Sequence, residues 1–311
     1  MGRKSIFIFI FFFPLLSFAT ERRVIKLDFE SSIGCKSCKV NEIVYEENQI
    51  VSDLVWQQIF TPYVSMNVFC SAYKFHFDTL FETSVPVQTG FLEDYDYLNS
   101  ANIVSNYSRH DLYVDKDFSI QFQLSYDLID IKNKYIFSPQ TGVVYQNRKF
   151  CAQNGFLQYP EDSSKNWTGN EEKTELSGIV ISYEQSFWHL YLGFENTFIF
   201  KNTILKVSGS YYPYISVDSI DSHYLRSVQF FDSMQSMQGF DAKVSFSKLV
   251  NDDKKIWLTI RSEYDYFFCE GDSYSNVIGA TTKDFALLAN AGSATRNSAL
   301  FFSIGLFINL K

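Results

Sequence analysis

The chain has 311 residues, 46% of them hydrophobic and 20% charged, with a formal net charge of -8; the acidic balance and the lack of a Lys/Arg cluster exclude a nucleic-acid binder, which needs a basic face for phosphate. With 32 Phe and 20 Tyr it is 18% aromatic, yet a mean hydropathy of -0.10 and the absence of long apolar runs beyond the N-terminus exclude a bundle of membrane helices. Aromatics dispersed through polar alternation fit an all-β transmembrane barrel, which needs aromatic girdles and a polar interior.

Residues 1–19 read as a secretory signal: Arg3 and Lys4, an apolar run from Ile6 to Leu16, then Ser17-Phe18-Ala19 as a small-x-small cleavage site. No Cys follows the cut, so no lipoprotein anchor is expected, and residues 20–311 read as one barrel without linker, repeat or second domain. The five cysteines are Cys35, Cys38, Cys70, Cys151 and Cys269. Cys35-Lys36-Ser37-Cys38 has half-site spacing but no neighbouring His or second pair, so the expectation is a structural role, such as a local disulfide, and no metal.

Further along, apolar and polar residues alternate with period two over barrel-strand lengths. Phe118, Ile120, Phe122, Leu124 and Tyr126 alternate with Ser119, Gln121, Gln123 and Ser125; Phe240, Ala242, Val244 and Phe246 with Asp241, Lys243 and Ser245; Ile256, Leu258 and Ile260 with Trp257, Thr259 and Arg261. From 64 to 82 the apolar parity switches near Ala72, which suggests one long strand with a bulge. Leu300, Phe302, Ile304, Leu306, Ile308 and Leu310 alternate to the end, although Lys311 stands where an outer-membrane barrel usually closes on an aromatic. Short turns are expected at Phe60-Thr61-Pro62, residues 130–134, Glu195-Asn196-Thr197 and residues 251–254. Long polar loops are expected near 46–51, 89–117, 153–176, 218–235 and 270–286. Together these join ten antiparallel strands, with short turns at the periplasmic end and long loops at the other. Asn106 and Asn166 match glycosylation sequons, which carry no meaning in a bacterial barrel.

Two acidic motifs fall on the long-loop side. Asp94-Tyr95-Asp96 and Asp221-Ser222-His223 each place two polar side chains on one face of a strand, because residues two apart share a face. An Asp beside a His orients the imidazole and stabilises its charged form, and His accepts a proton near neutral pH. Two close carboxylates resist joint ionisation and can share a proton. Either pair alone reads as solvated loop acids or a satisfied lumen histidine; together, on outward loops, they read as an active site. Ser108 with His110 or His223 offers a serine-nucleophile alternative, against which stands the lack of a G-x-S-x-G elbow or oxyanion-hole glycines. His76 and His189 read as lumen or rim residues.

These residues resemble the omptin family of outer-membrane aspartyl/histidine endopeptidases. Glu42-Ile43-Val44-Tyr45 resembles the family's E-x-V-Y, Ser52-Asp53-Leu54-Val55-Trp56 its S-x-L-x-W, and Leu92-Glu93-Asp94-Tyr95-Asp96-Tyr97 its M-x-D-x-D-W. Ser108-Arg109-His110 matches S-R-H, Tyr183 to Phe187 resembles Y-x-Q-x-F, and Asp221 to Tyr224 matches D-x-H-Y. The resemblance, colinear from about Glu42 to Phe307, implies a ten-stranded barrel in the bacterial outer membrane with an exterior-facing groove. It implies Asp221 and His223 as a dyad opposite an Asp94–Asp96 couple, with a water between Asp94 and His223 as nucleophile and no metal or organic cofactor. Glu42, Ser219 and Leu92 are the implied substrate contacts. Substrates would be cationic peptides or proteins cut near basic residues, but Ser219 stands at a family acid position and Asn106 at another, which implies a weaker or shifted basic preference. Asp218, beside Ser219, is expected to face away. Lipopolysaccharide is implied as an activating lipid, although Ser186 stands where a basic residue is expected. The alternatives are an inactive barrel of this kind serving as adhesin or receptor, and a porin-like channel, which a lumen filled at ten strands disfavours.

Overall fold

The computed structural model describes residues 25–100, 102–253, 255–278 and 286–310; the expected signal at 1–19 and Lys311 lie outside the described residues. The described chain is built from strands: β1 (Ile25–Glu46), β2 (Gln49–Ala72), β3 (Phe75–Ser84), β4 (Val87–Asp96), β5 (Asn106–Tyr126), β6 (Ile129–Ile131), β7 (Tyr135–Gln158), β8 (Thr174–Glu175), β9 (Ile179–Phe200), β10 (Thr203–His223), β11 (Val228–Asn251), β12 (Ile256–Val277) and β13 (Ala286–Leu310). β3 and β4 both pair with β2 and β5 and form one broken stave. The break falls at Val85-Pro86, where proline has no N–H for the ladder. β6 and β8 are short additions to β7. Ten staves remain, all antiparallel, and β1 pairs with β13 from Leu27↔Leu310 to Glu46↔Ala291, so the sheet closes without an edge.

The long staves run 21–25 residues, about twice the 9–11 that cross a bilayer. The alternation decides which part is in lipid. Ile33, Val64, Met66, Val68, Phe122, Leu192, Phe194, Phe240, Val244, Phe246, Ile260, Phe302, Ile304 and Leu306 are exposed on the outer wall, all in the half of the barrel that holds Ile25 and Leu310. Their polar neighbours fill the lumen with ion pairs, among them Lys36 with Asp117 at 2.5 Å, Arg261 with Glu30 at 3.1 Å and Lys206 with Glu195 at 2.9 Å. In lipid every backbone group must pair within the wall, which closure achieves.

Several expected turns move. Phe60-Thr61-Pro62 lies inside β2, where Phe60 has φ +48° and the register against β1 shifts between Lys36 and Cys38; a bulge absorbs the proline. Glu195-Asn196-Thr197 is paired throughout in β9, with Glu195 and Thr197 bonded to each other in the lumen and Asn196 on the outer face accepting from the Tyr135 hydroxyl, and the turn falls at Lys201-Asn202. The parity switch near Ala72 is a hairpin at Tyr73-Lys74, not a bulge in one strand. Two expected long loops are tight turns: Glu47-Asn48, both left-handed (φ +49° and +65°), and Tyr224 to Ser227 between β10 and β11. The remaining long connections are 97–105 and 159–178, and the stretch near 270–286 lies partly outside the described residues. Cys35 and Cys38 are free thiols, one on the outer wall and one in the lumen. Three residues along a strand end on opposite faces, so the local disulfide does not form.

Candidate active site

Above the lipid-facing half, the lumen is plugged by apolar side chains. Val40, Leu54, Trp56, Leu92, Leu112, Val114, Phe150, Ala152 and Tyr183 form one buried cluster, with the Trp56 ring stacked 5.6 Å from Tyr183 and 5.9 Å from Phe150. This cluster forms the floor on the Asp94–Asp96 side, and a second buried cluster that includes Phe187, Ile215, Val217, Met234 and Phe267 lies on the β10 side. Leu92, expected as a substrate contact, is wholly buried within the first and supports the site from below.

On β4 the even-numbered residues face inward, so Leu92, Asp94 and Asp96 rise in a column from the floor. Asp94 sits between Leu54 of β2 and Ser108 of β5 in register, and Asp96 between Ser52 and Asn106. Ser52 donates its hydroxyl to Asp94 at 3.3 Å, and the Asn106 amide donates to Asp96 at 3.3 Å. Burial, then repulsion from Asp96, lifts the Asp94 carboxyl to about 7 against the pull of His223 and Arg226. Asp96 is also raised by burial, opposed by its Asn106 bond. Near neutral pH this couple therefore holds a proton.

On β10 the odd-numbered residues face inward from Ile215 through Val217, Ser219, Asp221 and His223. Asp221 accepts a short hydrogen bond from His223 Nε2. The guanidinium of Arg226, in the following turn, lies 2.5 Å from His223 Nδ1. Arginine only donates, so Nδ1 is the accepting nitrogen and Nε2 carries the proton given to Asp221. One carboxylate oxygen, Asp221 Oδ1, is buried without a partner. β4 and β10 stand four staves apart in the ring of ten, so dyad and couple face each other across the lumen, close enough for His223 to act on Asp94.

Between them and the floor lies a third acidic group. Glu42, on β1, accepts a bond from the Trp56 indole N–H at 3.2 Å. Burial and the charges of Asp221 and Asp232 hold its carboxyl well above the usual carboxylate range. Ser219 gives its hydroxyl to Asp232 of β11 at 3.0 Å, and burial lifts Asp232 to about 6. Asp218 faces the other way and accepts from Ser233 at 3.0 Å. The Gln185 amide bonds Tyr183 and Thr295 through its nitrogen, leaving its buried Oε1 without a partner. Asp232 was not singled out by any motif; only its inward parity beside Ser219, visible once the register is known, reveals it. Arg226 and Tyr159, whose hydroxyl is affected by Asp94 and Asp96, were likewise missed.

Ser108 and His110 do meet: the Ser108 hydroxyl lies 2.9 Å from His110 Nε2, and His110 Nδ1 is 2.6 Å from the Asn154 carbonyl. That carbonyl is turned inward by a bulge at Asn154-Gly155, both left-handed (φ +55° and +87°), where a side chain in place of Gly155 would strike the Arg109 backbone. Both nitrogens of His110 are thus satisfied inside the wall, with no carboxylate behind them, and burial lowers its basicity. The pair ties β5 to β7. His189 stacks on Tyr212 in the lumen at 4.3 Å, and His76 pairs with Asp127 at 3.0 Å near the termini. Among the described residues no group of three or more His, Cys, Asp or Glu is arranged to hold a metal ion.

The model of the omptin family matches residues 24–310. Among solved structures, the outer membrane protease OmpT from Escherichia coli superposes with a TM-score of 0.80 at 16% identity, over 92% of this chain and 97% of that one. Other barrels align far less well: the outer membrane protein OprG from Pseudomonas aeruginosa has a TM-score of 0.34 at 9% identity (91% and 95% covered), and the translocator domain of the autotransporter NalP from Neisseria meningitidis 0.32 at 9% (93% and 92% covered). No curated protein matches the chain by sequence.

Proposed function

The chain belongs to the omptin family, and from that premise we propose that it is an outer-membrane endopeptidase that hydrolyses peptide bonds with a water activated between His223 and Asp94. The observation that carries the reading is the Asp221–His223 hydrogen bond, facing the Asp94–Asp96 couple over buried apolar clusters. His223, through Nδ1, takes the proton of the water as it attacks the scissile carbonyl, and gives it to the amine nitrogen as the C–N bond breaks. Asp221 stabilises the imidazolium that forms. The proton held by Asp94 and Asp96 polarises the carbonyl oxygen as charge develops there. The long-loop end, opposite the lipid belt, faces the exterior, where peptides and host proteins arrive.

A preference for basic residues is supported by Glu42 and Asp232. Among the described residues these two buried carboxylates with raised proton affinity have no ion-pair partner, and a Lys or Arg side chain would supply one. Asp232 approaches from the neighbouring strand beside Ser219, so the preference is shifted in geometry and not abolished. Glu47, Glu270 and Asp272 line a depression at the rim and add to the attraction for cationic chains. Outer-membrane lipid, with lipopolysaccharide as activator, is the expected environment; neither metal nor organic cofactor enters the chemistry.

Refolded protein should cleave a dibasic peptide, and Asp221→Asn or His223→Ala should lower kcat by at least about a hundred-fold, the scale of a lost general base, with the barrel intact by circular dichroism. Cleavage at the wild-type rate in both variants would overturn the reading, as would loss of activity with a chelator that zinc restores.

A further inference from the structure

His223 in the free protein has no lone pair available. Its Nε2 is engaged by Asp221 and its Nδ1 by the Arg226 guanidinium at 2.5 Å, with the Arg226 nitrogen also 3.5 Å from Nε2. A general base must present an open nitrogen to the water, so this arrangement is closed. Arg226 belongs to a four-residue turn, Tyr224 to Ser227, whose residues are all exposed, tightened by Arg226 N to His223 O and Ser227 N to Tyr224 O, both 3.3 Å. Ser227 is left-handed there, with φ +54°. Among the described residues Arg226 forms no direct ion pair with a carboxylate; its charge reaches Asp94 and Asp96 across the groove, and the imidazole is the side chain its head group bonds. His223 itself is only 7% exposed.

We propose that Arg226 is a latch: its guanidinium occupies His223 Nδ1 in the unliganded protein and leaves when a peptide enters the groove. The inference rests on reading His223 as the base. The guanidinium donates to a neutral imidazole and gains less there than it would on a carboxylate. A peptide backbone or basic side chain filling the groove excludes it sterically and repels it by charge. Latched and peptide-bound states are mutually exclusive, so the latch lowers apparent affinity by the fraction of molecules in which it is open. It also fixes the ring tautomer, with the proton on Nε2 toward Asp221. When Arg226 departs, Nδ1 is the nitrogen exposed and the tautomer is already the one the base needs.

The test compares wild type, Arg226→Ala and Arg226→Lys as refolded full-length protein in detergent. Two readouts are taken: the ring-nitrogen shifts of His223, one of only four histidines, and the kinetics of an uncharged-flank peptide. The latch predicts that Arg226→Ala moves the Nδ1 resonance and raises kcat/KM about ten-fold through KM, the scale of one hydrogen bond from a charged donor. Arg226→Lys, which keeps the charge and a donor, falls between. An unmoved Nδ1 resonance in Arg226→Ala overturns the latch, and so does a fall in kcat, which would make Arg226 a participant in the reaction. If wild type and variants alike fail to cleave, the endopeptidase reading fails, while the nitrogen shifts still decide whether the contact exists.

Discussion

Asp94→Asn separates the stability cost of a buried carboxyl from its use. Burial and the neighbouring Asp96 lift this carboxyl from the ordinary 3.8 to about 7, so ionising it in the barrel costs roughly 4 kcal/mol at about 1.4 kcal/mol per pH unit. The folded chain keeps a proton that the unfolded chain has released between these two values. Stability is therefore lost as pH rises from about 4 through about 7, and remains lost above it. Asparagine carries no charge and escapes this loss. At pH 8 the variant should be more stable than wild type by up to roughly 4 kcal/mol, and the gap should close toward pH 4. Denaturant titration of refolded protein at pH 4, 6 and 8, followed by tryptophan fluorescence and circular dichroism, reads the difference, and peptide cleavage by the same samples should be abolished. A variant less stable than wild type at pH 8, or one that cleaves normally, would refute the reasoning.

Glu42→Gln and Asp232→Asn should each lower kcat/KM for peptides with Lys or Arg before the cut by about ten- to a hundred-fold, the range of a hydrogen bond to a charged group, and leave uncharged peptides unaffected; cleavage-site profiling of a peptide library checks both. Lys36→Met takes away the ion-pair partner 2.5 Å from Asp117 and leaves it the Gln146 amide and the charge of Arg148, so it should destabilise the barrel by up to about 3 kcal/mol. Adding Asp117→Leu should recover most of that loss in the same unfolding measurement.

Much of the fold was legible because lipid imposes a strict period. Where the outer wall meets hydrocarbon, every second residue must be apolar, and Phe240 to Phe246 or Leu300 to Leu306 declare strand, face and position at once. Above the membrane that constraint ends. The outer wall there meets water, so polar residues on both faces no longer mark a loop, and β10 and β11 run on to His223 and from Val228 through a stretch expected to be irregular. Pro62 and the run at 195–197 read as turns for a related reason: the first is absorbed by a bulge, and the second spends Glu195 and Thr197 on the lumen and Asn196 on the Tyr135 hydroxyl outside.

The acidic motifs show the same division. Asp94-x-Asp96 and Asp221-x-His223 are local statements, since a two-residue spacing in a strand already puts both side chains on one face. Their meeting depended on ring closure, because only the order of the staves places β4 across from β10. Asp232 and Arg226 belong to no motif: one comes to Ser219 through inter-strand register, and the other reaches back across a turn to a ring nitrogen. By itself the sequence determined the strand period and the two acidic pairs, both consequences of alternation along one strand. The tertiary structure alone decided which walls face each other, which acid stands beside Ser219 and what covers His223, because those follow from register between strands far apart in the chain.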